Sequence, residues 1–226
     1  MTPALRKLLR KSAPEAPDID AFISENEFPL VEGTDVTFVY RGAADSVNLR
    51  CWISGLDTAQ PFQALAGSDL WATTIELPKG SRIEYKFEVT HQGKKNLILD
   101  PLNKVIAHDP FGANSVCQGF GYERPEWATH DPLSRLGTVE DRQFHSKAFQ
   151  GQRGIQVYLP ATFRENRRYP LLIVHDGGDY LRYADLKLVL DNLTHRLEIP
   201  SMIVALTQSP DRLKEYAGND RHAQFL

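Results

Sequence analysis

The chain has 226 residues, 42% hydrophobic and 24% charged, with a formal net charge of -3. That length admits one large domain or two ordinary ones, and the composition is that of an average globular protein. A nucleic-acid binder is excluded: the one basic cluster, Arg6, Lys7, Arg10 and Lys11, carries no phosphate-reading motif and reads as the solvated face of a helix.

Residues 4–12 place Leu5, Leu8 and Leu9 at helical spacing, and the proline-rich stretch at 14–17 ends that segment. IDAFISENEFPL predicts one or two more helical turns before a break at Pro29. From Thr34 the period becomes two. Val36, Phe38 and Tyr40 alternate with polar or small residues, then Val47, Leu49 and Cys51 do the same. Strands follow at 71–77 and 82–89, turned by LPKGS, and at 97–100. Short strands between regular turn signals predict a β-sandwich over 31–121, after a helical segment at 1–30. HDPFGAN (108–114) reads as a loop. Residues 122–137, with Pro125 and Pro132 and no sustained period, read as a linker or an ordered strap.

At 138 the pattern changes again. DRQFHSKAF and GIQVYLP predict a hairpin joined near Gln150-Gly151, and YPLLIVHD predicts a strand buried on both faces. Apolar residues at 186, 189, 190, 193 and 197 predict a helix over 183–197. SMIVALTQ (201–208) is a second buried strand, and GNDRHAQFL opens another helix. Strand, helix, strand in that order is a βαβ unit with a parallel pair and a right-handed crossover. A sheet with two parallel strands is unfinished.

These pieces resemble the enterochelin (ferric enterobactin) esterases. VYLP (157–160), RRYPLLIVHDGGDY (167–180), LVLDNL (188–193) and IPSMIVALTQSPDRLKEYAGND (199–220) carry the resemblance; the Trp71 strand, LPKGSRIEYKFEV and DPLN (100–103) carry it more diffusely. It implies an α+β protein: an immunoglobulin-like sandwich, similar also to carbohydrate-binding modules, then the first part of an α/β-hydrolase parallel sheet over 138–226. It also implies a carboxylic ester hydrolase with a Ser-His-acid triad, no cofactor and a small-molecule ester substrate. A ferric catecholate siderophore trilactone, an acyl sugar and a feruloyl ester all fit. The nucleophile of such folds sits in a G-x-S-x-G elbow. No serine here has both glycines. SVCQG (115–119) has elbow spacing, but it follows a loop and precedes no helix, so Cys117 reads as an ordinary strand cysteine. The triad would lie beyond Asn219. The expectation is a fragment of a longer esterase, or a shortened relative, inactive as it stands. The rival expectation is a non-catalytic carbohydrate- or partner-binding protein.

In that frame Gly177, Gly178 and Asp179, just after LLIV, are the oxyanion-hole candidates, against a plain strand-to-helix turn. His175 and Asp176 are adjacent, point to opposite faces and read as structural. Arg212, Glu215 and Tyr216, at the carboxyl edge where open sheets bind ligands, are substrate-binding candidates; Arg212 could clamp an anion or pair with Glu215. Trp52, Trp71 and Lys86 could contact a glucan, although indoles more often fill the core. The seven histidines are scattered without a metal-ligand motif. Cys51 and Cys117 form no C-x-x-C pair, no apolar run approaches the roughly 20 residues of a membrane span, and no signal-peptide core is present. The expected setting is cytoplasmic, with free thiols and neither membrane nor nucleic acid as partner. Nothing in the sequence indicates an oligomeric state.

Overall fold

The computed structural model describes residues 3–9, 14–53, 55–216 and 218–225. The Arg10–Ser12 end of the first predicted helix and Ser54 lie outside them. The chain divides into two units, residues 1–123 and 124–226.

The first unit opens with α1 (Pro3–Leu9) and α2 (Ala16–Glu25). Helix α2 starts inside the proline stretch, not after it. Pro17 falls in the first turn, where its missing N–H costs nothing, and Glu15 and Asp18 cap the start reciprocally. The strands are β1 (Leu30–Glu32), β2 (Asp35–Arg41), β3 (Ser46–Cys51), β4 (Ala59–Pro61), β5 (Gln63–Ala64), β6 (Leu70–Glu76), β7 (Arg82–His91), β8 (Lys94–Ile98), β9 (Ile106–Asp109) and β10 (Gly112–Gln118). One sheet has the order β1-β2-β6-β5; the other runs β4-β3-β7-β10-β9, with β8 also beside β7. Every pairing among these strands is antiparallel.

The period of two decides the core. Val36, Phe38 and Ile75 of the first sheet meet Val47, Leu49, Phe87 and Val89 of the second, forming a sandwich. The other face of the first sheet, with Val39, Leu70 and Ala72, is covered by Leu5, Leu8, Ile19 and Phe22 of the two helices. Both faces of β2 are therefore occupied, and Val36 through Val39 are all fully buried. The N-terminal helices are a third layer of this unit, not a separate segment, because their apolar stripe has a sheet to cover.

HDPFGAN is not a loop. Its ends belong to β9 and β10, and the Asp109 side chain accepts the Phe111 N–H at 2.7 Å in the turn between. Small and polar residues hide the strand period there. Cys117 is buried in β10, and burial pushes its thiol up to about 12. Nearby, the Tyr85 hydroxyl donates to Asp100 at 2.7 Å, the Asn103 amide donates to Tyr85 and to the Val116 carbonyl, and the Ser115 hydroxyl accepts from the Asp100 N–H. DPLN is thus a buried polar tie across the second sheet.

The second unit begins with a strap containing a 3₁₀ turn at Glu126–Ala128. Then come β11 (Thr138–Ser146), β12 (Gly151–Leu159), β13 (Leu171–Val174), α3 (Gly177–Tyr183), α4 (Leu186–His195), β14 (Ile203–Thr207), α5 (Arg212–Glu215) and α6 (Asp220–Phe225). The sheet order is β11-β12-β14-β13; the last pair is parallel and the others antiparallel, a mixed sheet. Tyr158, Leu190, Val204 and Leu206 form its core. From Arg124 onward the strap is part of this unit. The Asn192 amide donates to the carbonyls of Trp127 and Thr129 at 2.9 and 2.8 Å, and its oxygen accepts from Ser134.

Two expectations fail here. LLIV is not buried on both faces: β13 is an edge strand, and Leu171 and Leu172 are 62% and 40% exposed. The helix expected over 183–197 is shorter: Tyr183 closes α3, the chain breaks at Asp185 with φ 51°, and α4 runs only from Leu186 to His195, so Leu197 is exposed in a left-handed conformation. Helix α3 is hidden from propensity by its opening glycines.

Candidate active site

Strand β13 ends at Val174, and the chain turns sharply into α3 through Asp176, which is left-handed at φ 53°. Gly177 lies directly on β14. A Cβ there would stand 2.3 Å from the Leu206 Cβ and 2.7 Å from its Cα, so only glycine permits the approach. The Asp179 N–H donates to the Asp176 carbonyl at 2.9 Å and is not free to receive a ligand. The amides of Gly177 and Gly178 have no acceptor among the described residues. Of the three oxyanion candidates, the two glycines retain available donors.

Beside Gly178 opens a cavity of about 390 Å³. Leu206 lines it, and its polar lining comprises Gln143, Gln156, Gln208, Asp141, Asp179 and Arg182. Gln156 donates to Asp141 at 3.1 Å, and the Arg182 guanidinium lies 5.2 Å from the centre of the Tyr183 ring.

Alternate residues of β14 face opposite ways. Leu206 looks toward α3, whereas Thr207 meets His175, with Oγ1 3.3 Å from Nδ1. The rings of His175, Tyr216 and His222 lie about 5 Å from one another, at 5.0, 5.0 and 4.9 Å. The Tyr216 hydroxyl accepts the Asp176 N–H at 3.4 Å. Arg212 does not pair with Glu215. It reaches Asp176 at 3.2 Å, while buried Glu215 takes Arg153 at 2.6 Å and the Ser209 hydroxyl at 2.7 Å. Arg212 and Tyr216 therefore converge on the turn, and Glu215 clamps α5 to β12. Both ring nitrogens of His222 are buried without a partner. Burial first, then the neighbouring His175, holds its pKa below the ordinary imidazole value.

Sequence reasoning missed this ring cluster because its members come from three separate elements with no shared spacing. No three His, Cys, Asp or Glu side chains gather into a metal-binding group among the described residues.

In the first unit the three glucan candidates do not share a surface. Trp52 is 82% exposed, contrary to the core-filling expectation. Trp71 packs against the inter-sheet core and its indole donates to the Gly42 carbonyl at 3.2 Å. Lys86, between core residues Tyr85 and Phe87, points out of the second sheet.

A family model described as "Putative esterase" matches residues 146–225. Among solved structures, the ferric enterobactin esterase of Salmonella typhimurium superposes with a TM-score of 0.63 at 21% identity, covering 84% of this chain and 58% of that one. The enterobactin esterase of Shigella flexneri, crystallised in the presence of enterobactin, gives 0.66 at 19% identity, covering 91% and 62%. The chain has an enterochelin-esterase-like fold. It spans about three-fifths of the length of those solved structures. The "Uncharacterized protein YjcH" of Bacillus subtilis (strain 168) is 31% identical over 68 residues, 30% of this chain and 28% of that protein. Within the enterochelin-esterase-like fold, the matched family segment holds the Gly177 turn, the ring cluster and every cavity residue named above except Asp141 and Gln143. No described helix is long and apolar enough to cross a membrane.

Proposed function

We propose that this chain serves carboxylic ester hydrolysis, as the N-terminal module and the opening of the catalytic domain of a serine hydrolase. The observation that carries the reading is the Gly177–Gly178 turn: two main-chain N–H groups without acceptors, fixed against Leu206 at the carboxyl end of a parallel strand. Donors so placed stabilise the oxyanion that forms when a nucleophile adds to an ester carbonyl. In this mechanism a serine attacks, a histidine takes its proton and returns it to the leaving alkoxide, and an acid orients the histidine. No serine here stands in an elbow, so the attacking hydroxyl and its partners are assigned outside these 226 residues. Arg212 and Tyr216 would form the near wall of the substrate cleft. The substrate is a small-molecule ester; a ferric catecholate siderophore is one candidate, in line with the crystal structure of the Shigella flexneri enterobactin esterase in the presence of enterobactin. The immunoglobulin-like assignment of the sandwich belongs to the same reading. So does a cytoplasmic setting, which suits the free, buried Cys51 and Cys117.

The test is to express the chain together with whatever its gene encodes after Leu226, and to assay p-nitrophenyl acetate hydrolysis and fluorophosphonate labelling. Turnover with one labelled serine is expected. Gly178→Pro, which removes one donor, should lower kcat by about 100-fold. A reading frame closing at Leu226, or a longer product that neither hydrolyses nor labels, rejects the proposal.

One observation favours a second reading, carbohydrate or partner binding by the sandwich: the 82% exposure of Trp52. Retention on an insoluble glucan that Trp52→Ala abolishes would support it, and absence of retention would remove it.

A further inference from the structure

The cavity beside Gly178 has the polar chemistry of a hydroxyl-binding site. Three primary amides, from Gln143, Gln156 and Gln208, face it from three different segments. Gln143 and Gly154 are cross-strand partners, and a Cβ on Gly154 would stand 2.7 Å from the Gln143 Nε2. The glycine therefore makes room for that amide to lie over β12. The Gln208 side-chain oxygen Oε1 sits 3.2 Å from the position a Cβ on Gly178 would take, so it borders the proposed oxyanion donors directly. The side-chain amides of Gln143 and Gln208 have no hydrogen-bond partner among the described residues, although the Gln143 backbone belongs to the β11–β12 ladder. Only Gln156 is engaged, by Asp141 at 3.1 Å.

The charges point the same way. Two carboxylates, Asp141 and Asp179, face the cavity against a single cation, Arg182, which is solvent-exposed and rests on Tyr183. A multiply anionic ligand entering there would meet a net negative wall and no buried guanidinium or ammonium. Primary amides instead offer donors and an acceptor together, the complement of a hydroxyl, which is also both. The volume is within the range of small-ligand pockets.

We infer that this cavity binds a neutral, hydroxyl-rich ligand, a sugar or polyol, and so selects an acylated carbohydrate over a ferric catecholate as the ester to be cleaved. The inference rests on the ester-hydrolase reading only for its last step; the binding stands by itself.

The experiment is ¹⁵N NMR of the 226-residue chain, titrated separately with xylotriose and with gallium tris(2,3-dihydroxybenzoate), a diamagnetic stand-in for the ferric complex. Xylotriose should shift the side-chain amides of Gln143, Gln156 and Gln208, with equal affinity at low and high salt, since no charge is screened. Gln208→Leu, at an exposed position that leaves the fold intact, should weaken that binding about fivefold. Shifts of the same amides by the gallium complex alone, weakening with salt, overturn the inference. So does an absence of shifts with xylotriose. Sugar binding in a product that hydrolyses no ester keeps the inference and removes the hydrolase reading. Hydrolysis selective for catecholate esters does the reverse.

Discussion

A methyl group at Gly177 would collide with backbone, whereas at Gly178 it would meet only the flexible end of Gln208 at 3.2 Å. Gly177→Ala should therefore cost about 2–3 kcal/mol in urea unfolding, and Gly178→Ala less than about 1. Asp191, fully buried, is held by the Tyr158 hydroxyl at 2.8 Å, the Gly137 N–H at 2.8 Å and Lys187 at 2.6 Å. Removing the hydroxyl in Tyr158→Phe should cost about 1–2 kcal/mol. His222 sets a pH dependence. Its folded pKa lies below the ordinary 6.5, so the unfolded chain takes up the proton first. The stability from its neutral form is complete above about 6.5 and is lost as pH falls through the lowered value. The Tyr216 ring lies 4.9 Å away, and of the charged neighbours His175 and Arg153 oppose its protonation while Glu215 favours it. Hydrogen-exchange protection factors over Asp220–Phe225, corrected for the intrinsic pH dependence of amide exchange, should fall from neutral toward mildly acidic pH, and His222→Leu should flatten that response. At this scale the sequence disclosed the glycines but not their division of labour. That Asp179 spends its N–H on Asp176 depends on a backbone angle that residue type does not fix.

The strap over residues 126–134 shows how one side chain can organise an element that has no period of its own. Asn192 supplies both donors and an acceptor to it, so Asn192→Ala should cost about 3 kcal/mol and open the strap to proteolysis near Trp127. Strand β13 has the opposite character: its outer edge is unpaired among the described strands and its apolar side chains are exposed. Such an edge templates association, so light scattering should rise with concentration, and Ile173→Lys should suppress the rise. Alternating strands such as β3 and β7 were legible because one face of each meets water and the other the core. The β9–β10 hairpin was not, because GANSVCQ carries its core contacts on small residues. LLIV was read as a strand but with the wrong surroundings, since an apolar run does not reveal whether a neighbour lies beside it.

The two units differ in how much they bury. The first has two apolar cores drawn from helices and both sheets, whereas the second has one core of four buried apolar side chains among its described residues. In urea the second unit should unfold at lower concentration, with Trp127 reporting before Trp71. Cys51 and Cys117, both in the first unit and both with raised thiol pKa from burial, should resist a disulfide reagent until the later transition. The change of hydrophobic period near residue 138 was legible as a change from antiparallel strands to a strand-helix-strand pattern, but it lies inside the second unit, which begins at Arg124. The placement of α1 and α2 was not, because a helical stripe does not say which sheet it will cover. The buried tie among Tyr85, Asp100, Asn103 and Ser115 also bears on protein engineering. The turn at 100–103 is spliced into the core by side chains at both ends, so no tag or reporter can be inserted there. The tip at Pro110-Phe111, with Phe111 83% exposed, is an open port for an epitope or a fluorophore.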